Sequence, residues 1–143
     1  MNIVLPDESA VFADSGYWIA LITPDDELHE KAARLQDETA NRQIVTTQLV
    51  LNEVLNPRSG STRQLRLAAV TLVDRIKADP RISIEPQTSG QFEAALERFR
   101  QRLDKEWSIT DCASILAMER LRIWQALTGD HHFIQAGFFA MLR

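Results

Sequence analysis

Four carboxylates stand at positions where a structural role and a chemical one are both open. Asp14 directly follows the apolar run Ala10-Val11-Phe12-Ala13 and opens Asp14-Ser15-Gly16. A carboxylate at the end of a buried strand is costly unless something pairs with it, although Asp-Ser-Gly is also a common turn composition. Glu53 lies in Leu49-Val50-Leu51-Asn52-Glu53-Val54-Leu55. On a helix its neighbours one turn back are Leu49 and Val50, so the acid either reaches solvent or is aimed into a site. Asp111 lies in Trp107-Ser108-Ile109-Thr110-Asp111-Cys112-Ala113-Ser114. The Ser108 to Asp111 spacing fits a capping box, and a carboxylate in a helix's first turn is also kept ionised by the macrodipole, ready for a cation. Asp130, in Thr128-Gly129-Asp130-His131-His132-Phe133, reads equally as the N-cap of a strand-to-helix turn.

Each position alone has a structural explanation; together they point to one site. Carboxylates brought together repel, and a fold tolerates the cluster mainly when a cation neutralises it. Oxygen-only ligands select hard cations, Mg²⁺ or Mn²⁺. Such a cation can activate water, position a phosphodiester and stabilise a leaving oxygen. His131 and His132 adjoin Asp130, but a single Cys112 with two adjacent histidines lacks the ligand set of a structural zinc site. His132 reads as a helix-turn residue, with phosphate contact or proton donation as the functional alternative. Asp104 and Glu106 flank Lys105 and read either as solvated loop acids or as outer acids of the same site. Arg98, Arg100, Arg102 and Lys105 form a basic run before the third acid, and Arg58, Arg63 and Arg66 follow the second. Either group is a candidate grip on phosphates, of which Arg98 and Arg102 are singled out.

The elements that must position these acids alternate along the chain. Ala10 to Ala13 reads as a buried strand, Tyr17 to Ile22 as a short helix and Asp26 to Thr39 as an exposed helix. Gln43 to Thr46 is a second strand, after which Thr47 caps a helix from Gln48 to Asn56 that Pro57 ends. Ser61 caps a longer helix to about Ala78, whose apolar positions Leu65, Leu67 to Val70, Leu72, Val73 and Ile76 are dense enough to demand burial. Arg81 to Glu85 is a third strand. Thr88 or Ser89 starts a helix marked by Phe92, Leu96, Phe99 and Leu103. Thr110 to Leu121 is a strongly apolar helix that takes Cys112 into the core. Ile123 to Leu127 is a fourth strand, His131 to Gln135 a helical turn, and Phe138 to Leu142 a last edge strand. This alternation predicts an α/β/α sandwich, a parallel sheet of four to five strands wrapped by helices on both faces. Open sheets of this kind hold their sites beyond the carboxyl ends of the strands, where Asp14 and Asp130 fall.

The 143 residues are expected to form one domain, and 45% hydrophobic with 25% charged residues is ordinary for a soluble globular protein. No apolar run is long enough for a membrane span. The start, Met1 to Ser9, carries Asp7 and Glu8 and does not read as a signal peptide. The lone cysteine suits a reducing cytoplasm. A net charge of −4 argues weakly against nucleic acid, but residues 58–105 hold ten Lys/Arg against six Asp/Glu, while the rest holds six against fourteen. An acidic pole beside a basic middle suits a metal-using nuclease, although a solvated helical segment has the same charge pattern.

The stretches around the four acids, Phe12-Ala13-Asp14-Ser15, Thr46 to Leu55, Trp107 to Ser114 and Ala126 to Phe133, resemble in order and spacing the acidic motifs of the PIN-domain family. The resemblance runs from about residue 10 to the end and is strongest to the compact members that include VapC-type toxins. It implies a parallel α/β/α sandwich, Mg²⁺ or Mn²⁺ held at Asp14, Glu53, Asp111 and Asp130, and hydrolysis of RNA. It also matches Ser15 and Thr128 to the family's small hydroxyl residues, and implies a small antitoxin as partner. Dimers are common in that family. The apolar content of Leu65 to Ile76, and of Tyr17 and Trp18, exceeds what one thin sandwich easily buries, so a homodimer is expected. Two other readings compete. A non-catalytic RNA- or protein-binding module on the same fold would not need four acids. A phosphatase or response-regulator-like domain wants an Asp-x-Asp neighbour or a sheet-end Lys, and Asp14 has neither.

Overall fold

The computed structural model describes residues 10–56 and 62–143. The reading of Met1 to Ser9, Pro57 as a helix end, Arg58 and the Ser61 cap fall outside those residues. Five strands form one sheet: β1 (Ala10–Ala13), β2 (Gln43–Thr47), β3 (Ile82–Glu85), β4 (Gln125–Leu127) and β5 (Phe139–Ala140), in the order β3-β2-β1-β4-β5. All neighbouring pairs are parallel, with Val11 opposite Ile44, Phe12 opposite Ala126 and Ile44 opposite Ile82. Each strand-to-strand crossover therefore carries helices: α1 (Ser15–Ile22) and α2 (His29–Glu38), then α3 (Gln48–Leu55) and α4 (Arg63–Ala78), then α5 (Ser89–Gln101) and α6 (Ile109–Leu121), then α7 (His131–Gln135).

Strand order fixes the layers. The chain moves outward from β1 through β2 to β3, then returns past β1 to β4 and β5. Crossovers in a parallel sheet are right-handed, so reversing direction moves the helices to the other face. Helices α1 to α4 accordingly pack among themselves, as do α5 with α6 and α6 with α7, and the contact of α3 with α6 joins the two layers. The reversal lies between β1 and β4, which makes the space beyond their carboxyl ends the switch-point crevice of the sheet. The sandwich and strand count match the sequence expectation.

The core explains why β1 is central. Val11, Phe12 and Ala13 are fully buried, and the strand reads as a continuous apolar run because both its faces are covered by helices. Phe12 packs near Phe133 of α7, with ring centroids 6.2 Å apart. A smaller cluster of Ala95, Trp107, Cys112 and Ile115 lies between α5 and α6, with Cys112 buried as expected.

Several expectations need correction. Tyr17 and Trp18 are buried within the chain itself and supply no surplus apolar surface. Trp18 reaches the sheet, its indole Nε1–H donating to Thr46 Oγ1 at 3.4 Å, and the Tyr17 ring lies beside it with centroids 5.0 Å apart. On α4 only Ala69, Leu72 and Ile76 are buried, because one stripe of the helix faces the core. Leu67 and Val70 point away from it and are exposed, Leu67 at 63%, and Leu65, in line with the stripe but in the first turn, is exposed as well. Thr62 caps α4, accepting from Leu65 N at 3.2 Å. Helix α2 begins at His29, after Asp26 forms a turn by accepting from Leu28 N at 2.8 Å. Strand β4 spans only Gln125–Leu127, because Arg122 ends α6 in a left-handed conformation at φ 57° and Ile123 N bonds back to Met118 O at 2.9 Å.

Candidate active site and metal centre

Local chain geometry places each acid. Asp14 follows β1 in extended conformation, and its backbone N–H donates to Leu127 O at 3.2 Å, fastening the ends of β1 and β4 together. It occupies the N-cap position of α1, yet its side chain makes no capping hydrogen bond. Instead Thr128, fully buried after β4, donates through Oγ1 to Asp14 Oδ2 at 3.0 Å. The same hydroxyl accepts from Asp130 N at 3.1 Å, so Thr128 links the first acid to the backbone of the fourth. Ser15 Oγ donates to Glu53 Oε2 at 2.7 Å, which brings α3 to the start of α1.

The other two acids share their site position with a structural task. Ser108 and Asp111 form the expected capping box: Ser108 Oγ accepts from Asp111 N at 3.0 Å and Asp111 Oδ2 accepts from Ser108 N at 3.0 Å. Asp130 caps α7, accepting through Oδ1 from His132 N at 2.9 Å. His132 then joins these two acids. Its Nδ1 lies 2.9 Å from Asp111 Oδ2 and 3.3 Å from Asp130 Oδ1.

Electrostatics tie the four acids into one group. Burial pushes the Asp14 carboxyl up to about 7, against hydrogen bonds from the Ser15 backbone and Thr128 that favour its ionised form; the charges of Asp111 and Glu53 add to the rise. Burial also raises Asp111, where the nearby Asp130 adds repulsion while Ser108 and His132 offset part of it. Asp14 thus feels two of the other acids, and Asp111 feels the fourth. The structure brings together all four carboxylates selected from sequence, together with Ser15 and Thr128, which act here as hydrogen-bond donors to acids.

It does not leave Arg98 and Arg102 as bare cations. Arg98 makes a two-pronged ion pair with Glu119, both contacts at 2.9 Å, and Arg102 does the same with Asp104 at 3.0 Å while its guanidinium lies 5.1 Å from the Trp107 ring centroid. Arg100 pairs with Glu97, and Lys105 lies 4.0 Å from Asp104. Asp104 is therefore a surface ion-pair partner. The residue that sequence reasoning undervalued is His132. Its only sequence signal is adjacency to Asp130; its contact with Asp111, across 21 residues, is tertiary.

The PIN domain family matches residues 11–139, which takes in all four acids. The chain belongs to the PIN domain family. Among solved structures, this PIN domain is similar to VapC20 of Mycobacterium tuberculosis, a toxin described as cleaving the sarcin-ricin loop. The two are 29% identical, with a TM-score of 0.77 over 90% of this chain and 95% of that one. Comparison with curated protein sequences finds no match.

The donor set of this PIN domain suits a divalent cation. Among the described residues, Glu53, Asp111 and Asp130 each accept hydrogen bonds through one carboxylate oxygen, and no hydrogen bond reaches Glu53 Oε1, Asp111 Oδ1 or Asp130 Oδ2. Each acid is held by one oxygen and offers the other. Asp130, His131 and His132 also place three donor atoms within 4.8 Å of one another. Asp14, Glu53 and Asp111 stand outside that close-set group and bring only carboxylate oxygens, donors that suit a hard divalent cation.

Proposed function

We propose that this chain is an endoribonuclease dependent on Mg²⁺ or Mn²⁺, and the toxin of a toxin–antitoxin pair. The observation that carries the reading is the convergence of four acids, each fastened by a neighbouring donor, beyond the ends of β1 and β4. Asp14, Glu53, Asp111 and Asp130 would hold the cation. When bound, such a cation supplies Lewis-acid chemistry, polarising a phosphodiester and making water a better nucleophile at neutral pH.

The chain's own residues do the rest. Thr128 and Ser15 fix the Asp14 and Glu53 carboxylates, so that no side-chain rearrangement is needed when the substrate arrives. Proton removal from attacking water would fall to whichever of these carboxylates does not have its free oxygen on the cation. Arg98 and Arg102 would grip RNA phosphates only by exchanging Glu119 and Asp104 for them, which exposed ion pairs do at small cost. Likeness to VapC20, a toxin that cleaves the sarcin-ricin loop, supports a structured RNA loop as substrate; a small antitoxin would be the partner and the cytoplasm the place of action. Among the described residues no helix is long and apolar enough to cross a membrane. The exposed Leu65, Leu67 and Val70 on α4 support a homodimer, which light scattering at high concentration would read as twice the chain mass.

The test is cleavage of defined RNAs, a sarcin-ricin stem-loop among them, by purified protein with Mg²⁺, Mn²⁺ or chelator. Cleavage that needs the cation and is lost in Asp111→Asn is the expected result. Equal cleavage in chelator, or no cleavage of any RNA with either cation, overturns the reading.

A further inference from the structure

We propose that His132 is the positioning residue of the cation site, holding Asp111 and Asp130 together so that their free oxygens face one ion. This rests on the metal-dependent reading above and adds a residue to it. A carboxylate only accepts hydrogen bonds, so against an ionised Asp111 the contact at 2.9 Å places the ring proton on Nδ1, which donates to Oδ2. The same nitrogen lies 3.3 Å from Asp130 Oδ1, and the His132 backbone N–H donates to that oxygen at 2.9 Å. One residue therefore engages Oδ2 of the third acid and Oδ1 of the fourth. What remains unengaged among the described residues is Oδ1 of Asp111 and Oδ2 of Asp130.

Three features hold the imidazole in place. The next residue, Phe133, is fully buried and anchors α7 in the core. Asp130 caps the same short helix, so its carboxylate and the His132 ring move as one piece. The ring of His131 lies against that of His132, with centroids 4.5 Å apart. With the His132 side chain only 16% exposed, water competes weakly for the Nδ1–H. Without that donor, Asp111 would keep only the Ser108 N–H, and the two carboxylates, whose charges repel, would lose the group between them.

The test measures Mn²⁺ binding by electron paramagnetic resonance at fixed pH, alongside kcat and KM for RNA cleavage, in wild type and in His132→Ala, His132→Asn and His132→Gln. An Asn amide nitrogen stands close to the place of Nδ1, whereas a Gln amide reaches toward the place of Nε2. His132→Ala is expected to weaken Mn²⁺ by about 10- to 100-fold, the usual effect of losing a partner that orients ligands. His132→Asn should restore most of the affinity and His132→Gln little of it. At limiting Mn²⁺ kcat should fall with affinity, while KM for RNA stays near wild type. If His132→Ala does not fold, the contrast between Asn and Gln decides alone. Wild-type affinity in His132→Ala, or equal rescue by Asn and Gln, overturns the proposal. So does a directly coupled nitrogen in pulsed spectra of bound Mn²⁺ that disappears in His132→Ala, since His132 would then be a ligand. A wild-type protein that binds no Mn²⁺ overturns the metal-dependent reading with it, whereas wild-type binding with unchanged His132→Ala overturns this inference alone.

Discussion

The acid cluster has two halves that the fold treats differently. Asp111 and Asp130 each serve a helix as well as the site: one completes the capping box of α6, the other caps α7. Asp14 and Glu53 serve no helix terminus. Asp14 sits at an N-cap position without capping, and among the described residues Glu53 is tied only to Ser15. An acid that caps a helix returns stability for the charge it buries. Asp14 returns none and is also the acid whose carboxyl burial pushes up to about 7. A fold retains such a group for something outside its own stability, and the proposed cation site would supply the reason.

The largest effect should follow from neutralising that acid. Asp14→Asn removes a charge with almost no change in volume. It is expected to lower RNA cleavage by about 100-fold or more, at least the upper end of the loss seen for groups that only orient ligands. The same variant should melt at a higher temperature than wild type in chelator at pH 8, because it removes a buried charge. Added Mn²⁺ should reverse the order, since binding to the folded state alone stabilises wild type by mass action. Asp111→Asn should lose activity as fully without melting higher in chelator, because its carboxylate also holds the N-terminus of α6. Melting curves and cleavage rates across an Mn²⁺ titration check all three proteins. Wild-type cleavage by Asp14→Asn at limiting Mn²⁺ would show that Asp14 is no ligand.

The next effect is on pH dependence. In the folded chain Asp14 takes up its proton at about 7, against 3.8 in the unfolded chain. Between those values the folded state binds more protons, so the contribution of Asp14 to stability is fully present below pH 3.8 and is lost as pH rises to about 7. At about 1.4 kcal/mol per pH unit the rise amounts to about 4 kcal/mol, an upper bound because the site relaxes and admits water. Asp79 carries the opposite sign: its ion pair with Arg81 lowers its carboxyl, so its contribution is present above the ordinary carboxylate range and is lost as pH falls. The difference between wild type and Asp14→Asn cancels such terms. In chelator, wild type should lose stability relative to the variant as pH goes from 4 to 7, read from denaturant midpoints. A difference that stays flat would mean that Asp14 is not buried as a charge.

All four acids were legible in sequence because each leaves a local mark: an apolar run before Asp14, an apolar helix around Glu53, a capping spacing at Asp111 and a turn at Asp130. The parallel sheet was legible for the same reason, since alternation of strand and helix is local. What failed was direction. Helix α1 is apolar nearly all round, so nothing in Tyr17 and Trp18 tells which side meets the sheet, and both proved buried. Helix α4 is apolar on more than one face, and only the Ala69, Leu72 and Ile76 stripe is covered. Pairings such as Arg98 with Glu119 and His132 with Asp111 join elements distant in sequence, and no spacing rule reaches them.

The smallest effect separates capping from cation binding within the dual-purpose half. Ser108→Ala removes the hydroxyl that accepts from Asp111 N, but leaves the Ser108 backbone N–H that donates to Asp111 Oδ2. Loss of such a cap costs about 1 kcal/mol. Thr88 gives a matched control: it builds the same capping box on α5 with Gln91, on an exposed turn that carries none of the four acids. Thr88→Ala should therefore cost about the same stability, read by denaturant midpoint. Neither variant should shift Mn²⁺ affinity by more than about twofold, because the donors that orient Asp111 remain in both. If Ser108→Ala weakened Mn²⁺ as much as His132→Ala, the hydroxyl would be setting the carboxylate's orientation. The division between the task done for the helix and the task done for the site would then fail at Asp111.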